Sequence, residues 1–280
     1  MSKVNSSLFA RFTRSLLVEI SVSAITVSQS HGFFRRTLSI LHQQPLAVDD
    51  INNEETLAAQ FSLALQAVQV QNLNISVTLA DSLVRMWLVT PPKNAASLSD
   101  CQAAAMLRFQ ALFGVSMSDW EMVADWDALR PFLACAVPRS LLARLQAVCD
   151  GFRLTLQMMT PHFVMTWNRF RKELRPDAWM AILNNDILTI AAMDQGRLVA
   201  IRSTSAPYEL YHRRAWLEQH VQREAMLLNL TAPTRLQIQG ALPPQWQKND
   251  GNALQCQSLG IAESMTAVTS DVAQGAGVNG

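Results

Sequence analysis

The feature that most constrains the fold of this 280-residue chain is an order of predicted elements that occurs twice. In each copy, three predicted strands come before a predicted helix and a further strand. The predicted strands are 15–28 (broken near Ser21), 34–41 and 75–79 in the first copy, and 178–183, 187–193, 197–203 and 234–239 in the second. Hairpins are antiparallel, whereas a strand that follows a helix can pair in parallel. The order therefore predicts an α/β fold with two related lobes, each a mixed sheet covered by helices.

The region between the two copies predicts further elements and an inserted subdomain. Helices are predicted over 99–113, 138–151 and 161–175, and strands over 83–89, 120–126, 132–137 and 152–158. The predicted organisation is a flexible leader (1–13), a first lobe with an inserted subdomain (14–175), a truncated second lobe (176–242) and a disordered tail (243–280). Half of the ten glycines lie in that tail, where no helix or strand period survives, so deletion from Trp246 onward is expected to change stability by about 1 kcal/mol or less.

Composition excludes several classes of protein. The formal net charge of +1 argues against nucleic-acid binding through bulk charge. The four cysteines form no C-x-x-C pair, which argues against a structural zinc site and favours a reducing compartment. No run of about 18 apolar residues predicts a membrane span. No residue is assigned a catalytic or metal-binding role, because the sequence has no G-x-S-x-G motif and its histidines lack the spacing of a metal pair.

Four segments resemble a known fold. Two hairpins, each followed by a helix and a strand, look like the ribonuclease H-like lobe pair of actin-like proteins. The segments that carry the resemblance are 75–92, 132–145, 154–171 and 179–202. Together they resemble the PilM proteins of type IV pilus assembly and the cytoplasmic part of the GspL proteins of type II secretion, over roughly residues 15–240. This resemblance implies an actin-like two-lobe fold.

The two turns that would hold phosphate depart from the actin-like pattern. Active members of this class bind ATP between two hairpin turns that carry an Asp and glycines, because glycine lets backbone N–H groups approach phosphate and the Asp holds Mg²⁺ through water. Here the first turn follows Glu19 and contains no glycine, and the second turn, around 184–186, also lacks one. We therefore expect no nucleotide cofactor. The remaining candidates for an unusual phosphate loop are Ser21, Ser23, Asn184 and Asp186.

The predicted helix 161–175 carries a cluster of basic residues. Arg169, Arg171, Lys172 and Arg175 lie outside its apolar stripe, and Glu173 is the one acid among them. Such a face is usually solvated, and it can also contact an acidic membrane surface or an acidic partner segment.

These features support two functional hypotheses. The first is a non-enzymatic cytoplasmic scaffold, peripheral at a bacterial inner membrane, that binds a membrane-protein partner in a pilus or type II secretion-like assembly platform. The lost phosphate loops favour it, and the partner is the kind that the resemblance implies. The alternative is an actin-class ATP-binding enzyme with an atypical phosphate loop.

Overall fold

The computed structural model of the chain describes residues 15–31, 37–184, 187–205, 213–247 and 254–259. Its strands are β1 (Ser15–Ile20), β2 (Ala24–His31), β3 (Thr37–Pro45), β4 (Asn74–Leu79), β5 (Arg85–Val89), β6 (Trp120–Ala124), β7 (Phe132–Pro138), β8 (Thr155–Pro161), β9 (Ala178–Asn184), β10 (Ile187–Asp194), β11 (Arg197–Ser205), β12 (Arg235–Gly240) and β13 (Gln255–Ser258). Its helices are α1 (Val48–Asn52), α2 (Glu54–Val68), α3 (Leu98–Phe113), α4 (Arg139–Gly151), α5 (His162–Phe170), α6 (Arg214–Leu227) and α7 (Pro244–Gln247). The predicted leader, 1–13, lies outside the described residues.

The first sheet has the strand order β3-β2-β1-β4-β8. Strands β1 to β3 form an antiparallel meander, and β4 and β8 extend the sheet in parallel. Helices α2 and α4 cover one face, where Phe61 and Leu145 are fully buried against strand residues such as Val18 and Val77. The buried residues of α2 recur at helical spacing on the face toward the sheet, and they are Leu57, Ala58, Phe61, Ala64 and Leu65.

The second sheet repeats this topology with the order β11-β10-β9-β12-β13. Strands β9 to β11 are antiparallel, and β12 and β13 add in parallel. Gly240 is needed where β12 ends beside β9, because a Cβ there would lie 2.2 Å from the carbonyl oxygen of Leu183. The two mixed sheets confirm the repeat that the sequence predicts. The prediction of a truncated second lobe ending at 242 is wrong, since β13 supplies a fifth strand.

The prediction of a disordered tail over 243–280 is also wrong for the first part of that segment. Helix α7 buries Trp246 completely, and β13 pairs with β12. The Arg214 guanidinium ties both to α6 by donating hydrogen bonds to the carbonyl oxygens of Trp246 and Leu254. Strand β13 contains no β-branched or aromatic residue, so its sequence gives little strand signal, and pairing with β12 determines its structure.

A small subdomain is inserted between β4 and β8. Its three strands have the order β5-β7-β6, and α3 packs against them through Phe109, whose ring contacts Trp87 and Trp120. Strands β4 and β5, which both lie in segment 75–92, therefore belong to different sheets. Gly114 follows α3 with a positive φ of 70°, at the end of the helix that the sequence predicts over 99–113.

Helix α5 lies between the lobes. Phe163 and Phe170 pack against Met180 and Ile182 of β9 in an apolar cluster that also contains Ile201 of β11. The boundary predicted between 175 and 176 falls in the segment that joins α5 to β9. Among the described residues, no helix is both long enough and apolar enough to cross a bilayer.

Candidate functional site at the lobe junction

The turn between β1 and β2, the end of β4, the start of α5 and the facing ends of β9 and β10 meet in a recess between the lobes. The residues that line it are Val22, Ala80, Asp81, His162, Ile182, Asn184, Ile187 and Thr189. The repeated topology explains this meeting point, since both lobes bring the carboxyl end of their first strand to the same edge. This is the position at which an actin-like protein would place its two phosphate turns.

Asp81 is the central polar group of the recess. It lies two residues beyond the end of β4, and its Oδ1 accepts the backbone N–H of Phe163 at 2.8 Å. Phe163 is in the first turn of α5, where backbone N–H groups have no partner within the helix, and Pro161 at the N-cap supplies no capping side chain. Asp81 therefore caps α5 from a distant part of the chain.

The same carboxylate reaches the second lobe. The Thr189 hydroxyl on β10 donates to Asp81 Oδ2 at 3.3 Å and lies 3.0 Å from the Ser203 hydroxyl of β11. Burial raises the pKa of Asp81, while the Phe163 N–H, the nearby His162 and the Thr189 hydroxyl oppose that rise. Burial is the largest of these effects, so the protonated acid is favoured relative to an aspartate in water.

A second carboxylate borders the recess on the first lobe. Glu19 of β1, the position nearest to the expected Asp, has its Oε1 3.9 Å from Nε2 of His162. His162 is only 7% exposed, whereas the Glu19 side chain is 46% exposed. The junction therefore combines two acids and a buried histidine with two hydroxyls of the second lobe, those of Thr189 and Ser203.

The first predicted phosphate turn is closed by its own hydrogen bonds. The Ser21 hydroxyl donates to the carbonyl oxygen of Ala24 at 2.9 Å and accepts the N–H of Ala24 at 3.0 Å and that of Ser23 at 3.4 Å. The N–H of Ser21 also donates to the Ala24 carbonyl. Three amides that could otherwise approach a phosphate are thus used within the turn.

The four candidate residues for an unusual phosphate loop do not all line the recess. Neither Ser21 nor Ser23 lines the recess, whereas Asn184 does. Asp186 lies outside the described residues. The recess has a cavity volume of about 10 Å³, far below the roughly 300–1,000 Å³ of typical ligand pockets.

The predicted basic helix is shorter than expected. Helix α5 ends at Phe170 and a turn follows, closed by the Glu173 N–H donating to the Phe170 carbonyl at 2.8 Å. Arg169 is therefore the one member of the basic cluster on the helix. Its guanidinium lies 5.1 Å from the centre of the Phe170 ring. The prediction of a basic helix face is wrong for Arg171, Lys172 and Arg175, which lie beyond the helix but are exposed.

Sequence reasoning missed Asp81, His162 and Thr189. Asp81 lies two residues beyond the carboxyl end of β4, which pairs in parallel with β1. Because α/β proteins place polar groups at this end of a sheet, a signal existed. Thr189 carries no such signal, because its role depends on how the two lobes face each other. Within the described part of the chain, no group of three His, Cys, Asp or Glu residues could hold a metal ion.

No protein-family model matches the sequence, and no curated protein matches it. Solved structures do match. A Bacteroides thetaiotaomicron protein of unknown function with an actin-like ATPase fold aligns with a TM-score of 0.62 at 10% identity, over 92% of this chain and 94% of that one.

Two further structures match nearly as well. PilM in the PilM–PilN type IV pilus biogenesis complex gives a TM-score of 0.57 at 12% identity, over 86% of this chain and 87% of that one. The cytoplasmic domain of EpsL, an inner membrane component of the Vibrio cholerae type II secretion system, gives 0.50 at 14% identity, over 82% and 84%. The chain therefore has the actin-like fold, with PilM and EpsL among its structural neighbours.

Proposed function

We propose that this chain is a non-enzymatic scaffold that binds a membrane-protein partner in a bacterial pilus or type II secretion-like assembly platform. The observation that carries the proposal is the closed lobe junction, in which protein groups occupy the place of a nucleotide. Asp81 joins α5 to Thr189, and Ser21 uses the amides of the first phosphate turn. A fold held in this way needs no nucleotide to fix its lobes.

The kind of platform is suggested by the structural neighbours. One of them is described as a type IV pilus biogenesis complex and another as part of an inner membrane component of type II secretion. We propose the same setting for this chain, peripheral at the cytoplasmic face of the inner membrane. The partner in this proposal is an inner-membrane protein of the same platform.

The basic cluster gives the proposed scaffold a surface for the membrane. Arg171, Lys172 and Arg175 are exposed and follow one another closely after α5. Each Lys or Arg near an anionic bilayer contributes about 1 kcal/mol of attraction. We propose that this cluster contacts acidic lipid and orients the scaffold toward its partner.

The alternative function is an actin-class ATP-binding enzyme with an atypical phosphate loop. Glu19 and Asp81 favour it, because two carboxylates border the place where Mg²⁺ would be held in such an enzyme. The hydrogen bonds already made by Asp81 and Ser21 argue against it.

The proposed function is tested by cross-linking in the native bacterium, followed by capture of the tagged chain from the membrane fraction. The expected product is an inner-membrane component encoded with pilus or secretion genes, cross-linked to this chain. Recovery of the chain with no such component, under conditions that cross-link a known platform subunit, would overturn the scaffold proposal.

A further inference from the structure

A large groove separates the inserted subdomain from the second lobe. Its cavity volume is about 620 Å³, and β5 and β11 line its two sides. Each of these strands lies at the edge of its own sheet, because β5 pairs only with β7 and β11 only with β10 among the described strands. We name this space the edge groove.

Two sheet edges in one groove favour an extended occupant. An edge strand presents backbone N–H and C=O groups that another strand can pair with. Peptides that bind by adding a strand use these groups for affinity and nearby pockets for specificity. The β11 side runs from Val199 to Ser205, which corresponds to about 20 Å of extended chain at about 3.3 Å per residue.

The walls of the edge groove are rich in cations. Arg85 and Arg108 lie on the inserted subdomain, and Arg202 lies on β11. The Arg85 guanidinium is 5.7 Å from the centre of the Phe113 ring and 5.8 Å from that of Trp120, which hold it at the groove. Of the carboxylates, only Asp81 lines the groove within the described residues, and its oxygens already accept hydrogen bonds from Phe163 and Thr189.

One of these cations is partly neutralised. Arg202 Nε lies 3.7 Å from Oε2 of Glu224, a carboxylate of α6 whose side chain is 6% exposed. Arg85 and Arg108 make no ion pair with any described residue. The groove therefore keeps a net positive charge that an anionic occupant would complement.

The floor and rim add apolar and hydroxyl contacts. Met86 of β5 and Ile201 of β11 pack in the same apolar cluster at the floor. Ser203 on the β11 side shares a hydrogen bond with Thr189, which in turn bonds Asp81. The inner end of the edge groove thus opens onto the lobe junction.

We propose that the edge groove binds an acidic, extended segment of a partner protein, which adds as a strand to β5 or β11. This inference rests on the proposed scaffold function, and it supplies the surface and the chemistry of the partner segment. The acidic side chains pair with Arg85, Arg108 and Arg202, while the backbone pairs with a sheet edge.

The test is a selection of twelve-residue peptides from a display library against the full chain. The expected result is enrichment of peptides that carry Asp or Glu and β-branched residues. Their affinity should fall at least about tenfold in the triple variant Arg85→Gln/Arg108→Gln/Arg202→Gln. The matched control Lys93→Gln/Arg144→Gln/Arg153→Gln removes three exposed cations that do not line the groove and should leave the affinity within about twofold.

A second variant keeps the test valid if the triple variant is unstable. Instability is a concern because Arg202→Gln removes an ion-pair partner of the buried Glu224 carboxylate. Arg108→Glu changes one exposed residue and should also weaken the selected peptides at least about tenfold. Amide hydrogen exchange should show new protection in β5 or β11 when a peptide is bound. Enrichment of neutral or basic peptides, no enrichment at all, or equal binding by wild type and Arg108→Glu would overturn the inference.

The two proposals fail in different ways. If cross-linking finds the platform partner but its binding survives Arg108→Glu, the edge groove is the wrong surface and the scaffold function stands. If acidic peptides bind in the groove but no platform component is captured, the groove inference stands and the proposed function fails.

Discussion

Asp81 of the first lobe accepts a hydrogen bond from the Thr189 hydroxyl of the second lobe, at 3.3 Å from Oγ1 to Oδ2. The other carboxylate oxygen accepts the Phe163 N–H at the start of α5. One side chain therefore links both sheets and the helix that lies between them. This link lies where an actin-like protein would hold a nucleotide, so it bears directly on whether the junction can bind one.

Thr189→Val should weaken the junction without changing its shape. Thr189 is 2% exposed, and valine has nearly the same volume but no hydroxyl, so Asp81 and Ser203 each lose a partner. We expect a loss of about 1–2 kcal/mol in the free energy of unfolding, measured by urea titration. The control Thr155→Val, at the exposed start of β8, should change it by less than about 0.5 kcal/mol. Equal effects of the two substitutions would show that the hydrogen bond does not hold the lobes.

Asp81→Asn tests the charge state of the junction through pH. Burial raises the pKa of Asp81 above its usual value of 3.8, so the stability from this group is fully present below the unfolded-state pKa and is lost as pH rises through the folded-state pKa. Asparagine mimics the protonated acid and does not titrate. The stability of the variant relative to wild type should therefore increase as pH rises above 3.8.

The measurement is the free energy of unfolding of both proteins across the acidic and neutral range, with Asp119→Asn as a control for the loss of one exposed carboxylate. A relative stability of Asp81→Asn that falls with rising pH would contradict the expectation. It would show that the N-terminus of α5 stabilises the ionised carboxylate more strongly than burial penalises it.

Much of the fold is predictable from the sequence because its elements carry strong local patterns. Leu57 and Phe61 recur at helical spacing on α2, and β1 alternates between buried and half-buried residues. Strand β13 was missed because its four residues have low strand propensity, and its pairing with β12 is a long-range effect. The sequence does not reveal that α5 ends at Phe170, because Leu174 continues the helical spacing of the apolar residues beyond that end.

The site is less predictable than the fold. The absence of glycine from the first turn directs attention to the junction, but it does not show that Ser21 uses the turn's amides. Asp81 and Thr189 are 108 residues apart in sequence, and no local pattern relates them. They come into contact because the two lobes face each other, so their contact can be identified only from the tertiary structure.

Trp246→Ala should show that the region after 242 is part of the folded second lobe. The side chain is fully buried, and the truncation of a buried Trp usually costs about 3–5 kcal/mol. We expect a loss of this size in chemical unfolding, in contrast to the small effect that the sequence predicts for this region. Met226→Ala is the control, because Met226 is 77% exposed. A change below about 1 kcal/mol for Trp246→Ala would restore the expectation of an unstructured tail.

The basic cluster is tested by changing Arg169, Arg171, Lys172 and Arg175 to Gln. Exposed charges contribute little to folding, so the melting temperature should change only slightly. If the cluster contacts acidic lipid, wild type should co-sediment with anionic vesicles at low salt, and the variant should not. Added salt should release wild type as well, because it screens the attraction. Equal sedimentation of the two proteins would remove the cluster from the proposed function.

Calorimetric titration of the full chain with Mg-ATP tests the closed junction most directly. Because the turn amides bond to Ser21 and Asp81 bonds to Thr189, the account predicts no heat of binding at millimolar nucleotide. Thr189→Val, which opens one of these bonds, should also show none. Micromolar affinity in wild type that is lost in Asp81→Asn would contradict the account and would identify the chain as an ATP-binding member of the actin class.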